Sequence, residues 1–98
     1  MVSRLSLWVN GEPIPVDDFV QEFLRNVITG MLSVLKGTEV MQTIKLAIKE
    51  DTVDINVNNT PVPANPFVRS FIRNTVLGMV SSLKGVGKIE ELEISIMD

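Results

Sequence analysis

One stretch occurs twice in this chain, and that repetition limits the fold more than any other feature. Shifting the numbering by 48 residues lays residues 4–50 on residues 52–98 without a gap, and sixteen of the 47 aligned pairs are identical. The longest matching stretch runs from Phe19 to Gly37 and again from Phe67 to Gly85. Val9/Val57, Asn10/Asn58, Pro13/Pro61, Pro15/Pro63, Arg25/Arg73, Asn26/Asn74, Gly30/Gly78 and Ile48/Ile96 are among the identities. Most other pairs exchange like for like, such as Leu5/Val53 and Ile44/Leu92. Two copies are too few for a solenoid, which needs at least three stacked units. The expected arrangement is two halves, 4–50 and 52–98, completing one core in a single domain spanning 1–98, as the length also suggests.

Each half begins with an alternating segment. Leu5, Leu7 and Val9 alternate with Ser6 and Trp8, and Val53, Ile55 and Val57 with Asp54 and Asn56. Period-two alternation reads as a half-buried strand. Asn10-Gly11 and Asn58-Asn59 follow, residues that tolerate the positive φ of a tight turn. Next come prolines two apart, Pro13/Pro15 and Pro61/Pro63. They remove N–H groups from one side of an extended segment, so it can pair on at most one side, as an edge or a flap. Whether these segments form extra short strands stays open.

The helices follow. Asp17 occupies an N-cap position, and Asn65-Pro66 supplies a capping residue with proline at the first helical position. The spacing predicts helices running to Lys36 and Lys84, stopped by Gly37 and Gly85. Alternation returns at Ile44, Leu46 and Ile48, and at Leu92, Ile94 and Ile96. The order of the long elements is therefore βαββαβ. Right-handed crossovers and a hairpin at Lys49–Thr52 predict an α+β, two-layer ferredoxin-like sandwich. Its four long strands would lie in the antiparallel order 4-1-3-2, with both helices on one face and an internal two-fold axis between strands one and three. A dimer exchanging the same halves between chains is the alternative.

On a helical wheel the apolar residues from Phe19 to Leu35 fill an arc of roughly 220°, wider than one sheet needs. The excess calls for burial by the sister helix or by another chain. At one margin lies a strip of small residues, Asn26, Gly30, Ser33 and Gly37, recurring as Asn74, Gly78, Ser81 and Gly85. Small residues let helices approach closely, so the strip reads as the contact between the two helices. It could also seat a ligand, with Asn26 and Asn74 as hydrogen-bonding groups. Arg25 and Arg73, with Arg69 nearby, could hold a carboxylate or phosphate, or form a solvated rim. Leu77 replaces Thr29 on the polar side of the second helix and, beside Ile72 and Val80, would extend an apolar contact patch.

The outward sheet face should carry Ser6, Trp8, Lys45, Ala47, Lys49, Asp54, Asn56, Glu91, Glu93 and Ser95. A lone Trp8 without a second aromatic, beside an acidic last strand, argues against an RNA-stacking platform. Trp8 instead suggests a sheet-to-sheet contact or a residue covered by the proline flap.

Composition removes many chemistries. There is no Cys, His or Tyr. Thiol nucleophiles, disulfides, thiolate metal sites and imidazole bases are thereby excluded. Gly85-Val-Gly87 follows a helix rather than opening one, so it is no nucleotide fingerprint. Asp17/Asp18 and Glu90/Glu91 are explained by capping and strand alternation. Neither a metal nor a cofactor is expected. The net charge of −3 disfavours nucleic acid. No apolar run reaches the roughly 20 residues that span a bilayer, and the first residues lack a signal-peptide pattern. A cytoplasmic location fits the absence of cysteine. The residues thus describe a non-enzymatic, self-associating binding or assembly module, a homo-oligomer with Trp8, Ile72, Leu77 and Val80 at its interface. A sensor or carrier of a small anionic metabolite, using Arg25, Asn26, Arg73 and Asn74, is the alternative, and an RNA platform the remoter one.

Overall fold

The computed structural model describes residues 4–35 and 38–97. The elements are β1 (Arg4–Val9), β2 (Glu12–Pro13), α1 (Asp18–Leu32), β3 (Thr43–Lys49), β4 (Thr52–Val57), β5 (Thr60–Pro61), α2 (Pro66–Ser81) and β6 (Glu91–Met97). Among the described residues the fold is α+β, with two helices and one six-stranded antiparallel sheet. Both proline segments do form short strands. Each half carries the same sequence of elements.

The local signals explain the element boundaries. Asn10 and Gly11 take φ of +53° and +81°, and Asn58 and Asn59 take +54° and +64°. These are the left-handed conformations that Asn and Gly accept most readily. Asp17 Oδ1 accepts from the Val20 N–H at 2.8 Å, and Asn65 Oδ1 from the Val68 N–H at 2.8 Å, capping the two helices. The helices end earlier than their periodicity suggests, at Leu32 and Ser81, and Lys36 and Gly37 lie outside the described residues. Serine hydroxyls take over there. Ser33 Oγ donates to the Gly30 carbonyl at 2.8 Å, and Ser82 Oγ to the Gly78 carbonyl at 2.9 Å. Such bonds offer the backbone an alternative to continued helix.

The sheet order corrects the ferredoxin-like expectation. It is β2-β1-β6-β3-β4-β5. Among the four long strands this is 1-4-2-3 rather than 4-1-3-2, with β3 and β6 at the centre instead of β1 and β4. Both orders skip one strand in each crossover and keep the β3–β4 hairpin. They differ in whether that hairpin folds β4 inward or outward.

The short flaps decide the matter. β2 and β5 turn back onto β1 and β4, pairing Val9 with Glu12 and Val57 with Thr60. A central strand has no free edge for such a flap, so β1 and β4 must lie outside β6 and β3. The prolines then fall into place. Between Pro13 and Pro15, the Ile14 N–H donates inward to the Leu7 carbonyl at 2.8 Å, and the Val62 N–H donates to Ile55 at 2.9 Å. The side without N–H groups closes the edge to further pairing.

The centre of the register also moves. β3 and β6 pair symmetrically about Leu46–Ile94, from Thr43–Met97 to Lys49–Glu91. A 48-residue shift maps this ladder onto itself and maps the β1–β6 register onto that of β4–β3. The halves therefore interlock: each outer strand pairs with the last strand of the other half.

Asn10 and Asn58 hold that interlock. The Asn10 side chain donates to the Lys88 carbonyl at 2.8 Å and accepts from the N–H groups of Glu90 and Glu91. Asn58 repeats the pattern with Val40, Gln42 and Thr43. Each asparagine thus makes its turn and grips the chain entering the adjacent central strand.

One apolar cluster joins the inward side chains of all four long strands to a single stripe on each helix: Leu24, Ile28 and Leu32, and Ile72, Val76 and Val80. Both helices therefore cover the same sheet face. The result is a thin slab, 35 × 34 × 18 Å.

Candidate functional site: the outer face of the helical layer

The sheet takes only part of the apolar arc on each helix. On the opposite side of α1, Phe19 and Phe23 are 72% and 54% exposed. Phe67 and Phe71 of α2 are 73% and 56% exposed. Each pair is spaced i, i+4, which places both rings on one helical face. Their centroids lie 6.1 Å apart in both helices, with tilted planes. The start of α1 lies beside the end of α2. There Phe19, Val20, Phe23, Leu24, Met79 and Leu83 line an apolar groove of about 240 Å³.

The small-residue strip continues this outer face. Asn26, Gly30 and Ser33 are exposed, as are Asn74, Gly78 and Ser81. This corrects the expectation that the strip joins the two helices. Apart from the adjoining backbone of its own helix, a Cβ added at Gly30 or Gly78 meets no atom within 4 Å. No internal packing demands glycine at either position. Gly37 lies outside the described residues.

The anion reading relied on Arg25, Asn26, Arg73 and Asn74. Arg73 Nε donates to the Glu50 carbonyl at 2.7 Å, bracing the left-handed turn between β3 and β4. Its Nη1 also reaches Asn74 Oδ1 at 3.4 Å. Arg73 lines a cleft with Lys49, Glu50, Leu77, Glu90 and Glu91, and Arg25 and Asn26 are not part of it. Three carboxylates around Lys49 and an already committed Arg73 are a poor setting for an anion. No group of three or more acidic residues among the described residues is placed to hold a metal ion.

The four residues expected at an interface separate. Ile72 and Val80 are buried in the core and present no surface. Leu77 is half-buried in the Arg73 cleft. Trp8 is half-buried on the far side of the sheet, where it lines an open hollow of about 880 Å³ with Lys45, Asp54, Asn56, Arg69 and Glu93. Charges of both signs border this hollow.

The four exposed phenylalanines escaped the sequence reading because aromatic residues in a wide apolar arc read as core. A signal was nevertheless present. Phe19, Phe23, Asn26, Gly30 and Ser33 each match the residue 48 positions later, whereas Leu24, Ile28 and Leu32 face Ile72, Val76 and Val80. The positions of this outward stripe agree, whereas the exposed pairs Glu22/Ser70 and Val34/Ser82 beside it and the core pairs do not.

No protein-family model, curated protein or solved structure matches this chain. Among the described residues, no helix is long and apolar enough to cross a membrane.

Proposed function

We propose that the protein is a non-catalytic binding and assembly module that works through the outer face of its helical layer. The exposure of Phe19, Phe23, Phe67 and Phe71 on one face carries this reading. Burying a phenylalanine side chain is worth roughly 1.5–3 kcal/mol, so leaving four in water forgoes considerable stability. Single exposed apolar residues are commonplace, but two exposed aromatic pairs on one layer, one of them bordering an apolar groove, support a contact surface. The absence of Cys and His from the sequence favours binding over catalysis.

The test is a photoreactive phenylalanine analogue at position 23 or, as a control on the sheet face, at position 45, with adducts identified by mass spectrometry. Defined adducts from position 23, lost when Phe71→Asp is added, are expected. Adducts from position 45 alone, or from neither position, would refute the reading.

A further inference from the structure

We propose that the occupant of this face is a second copy of the same chain, docked helix layer to helix layer with the Gly30 and Gly78 strips at the contact. This rests on the reading of the helical face as a binding surface and supplies its partner.

Three observations support it. First, the face agrees with itself under the 48-residue shift. Five exposed positions that share one stripe, Phe19/Phe67, Phe23/Phe71, Asn26/Asn74, Gly30/Gly78 and Ser33/Ser81, are identical, while the exposed pairs beside the stripe, Glu22/Ser70 and Val34/Ser82, differ, as do the core pairs Leu24/Ile72, Ile28/Val76 and Leu32/Val80. Exposed substitutions rarely affect folding, so the fold alone does not keep such positions alike. A partner without internal symmetry would touch the two halves differently and would leave them free to diverge. A second copy presents the same doubled surface, so every position meets a matching environment twice.

Second, the glycines in the last turn of each helix have no internal cause. Beyond the helix's own backbone, open space surrounds the Cβ position at Gly30 and Gly78. Glycine weakens a helix, and its compensating use is to let another backbone come close. The approaching backbone must come from outside the chain.

Third, size and charge agree. The 35 × 34 Å breadth of the slab leaves room for the ~800 Å² per partner of a standard interface. The five repeated positions carry no charge, so the face suits a neutral apolar partner like itself. The groove bordered by Phe19, Phe23, Met79 and Leu83 offers a seat for an apolar side chain of the other copy. The resulting assembly has four layers: sheet, helices, helices, sheet.

The experiment is sedimentation of the full chain at micromolar concentration, beside Phe23→Asp/Phe71→Asp, Gly30→Leu/Gly78→Leu and Trp8→Ser. The wild type and Trp8→Ser are expected at twice the 10.9 kDa chain mass. Both helical-face variants are expected at the monomer mass with unchanged circular dichroism. The leucine pair keeps the test decisive should the aspartates disturb folding. A monomeric wild type that still gives adducts to another protein at position 23 overturns the second-copy proposal and leaves the helical face as a binding site. A dimer lost in Trp8→Ser and kept in the helical variants overturns both.

Discussion

The two sides of each helix obey different rules. Facing the sheet, Leu24, Ile28 and Leu32 are replaced in the other half by Ile72, Val76 and Val80, with apolar character kept and shape exchanged. Facing outward, Phe19, Phe23, Asn26, Gly30 and Ser33 reappear without change. A core tolerates volume-conserving exchanges because neighbouring side chains repack. The identity is confined to this stripe, since the exposed pairs Glu22/Ser70 and Val34/Ser82 beside it differ, and repacking does not account for it. The contrast sets the packing that holds the fold on one side of the helices and the proposed contact surface on the other.

Substitutions on either side should therefore separate cleanly. The largest loss of stability is expected from the core: Ile28→Ala should cost about 2–5 kcal/mol in urea denaturation. A cost under about 1 kcal/mol would mean that α1 is not clamped to the sheet as described. Next comes the interlock between the halves. Asn58→Ala removes three side-chain hydrogen bonds and a residue suited to φ +54°, and about 2 kcal/mol of destabilisation is expected. Asn10→Ala should match it, because its bonds are equivalent, and unequal losses would break the correspondence of the halves. Removing the Asp17 cap by Asp17→Ala should cost about 1 kcal/mol. Phe23→Ala should change monomer stability by less than about 0.5 kcal/mol, measured at a concentration where the chain is dissociated. A core-like loss there would show that the ring serves the fold and would erase the contrast between the two sides.

Much of the architecture was legible in the residues. Asn10-Gly11, Asp17 and Asn65-Pro66 announce their turn and caps, and strict alternation marks the four long strands. The strand order was misjudged because two local expectations conflicted. A flap returning from Asn10-Gly11 needs a free edge on β1, whereas the 4-1-3-2 order places β1 in the centre. The edge requirement is physical and the crossover preference only excludes wrong hands, so the flap prevails. The site was half legible. The strip Asn26-Gly30-Ser33 stands out at helical spacing, but a wheel shows which residues share a face and not which face turns inward. Ile72, Leu77 and Val80 misled for the same reason, since two of them lie in the core. The grip of Asn10 on Lys88, Glu90 and Glu91 joins residues about 80 positions apart, beyond any local pattern.

The most direct test of the central claim replaces both surface glycines at once. Gly30→Ala/Gly78→Ala adds two methyl groups that meet nothing within the chain beyond the adjoining backbone of their own helices. Alanine is the better helix former by up to about 1 kcal/mol per site, so the dissociated chain should resist urea better than the wild type. The same methyl groups should hold two helical layers apart and raise the dissociation constant of the dimer. Opposite changes in folding and association are the predicted result. A chain that gains stability and associates as tightly as before would show that the glycine strip serves no partner.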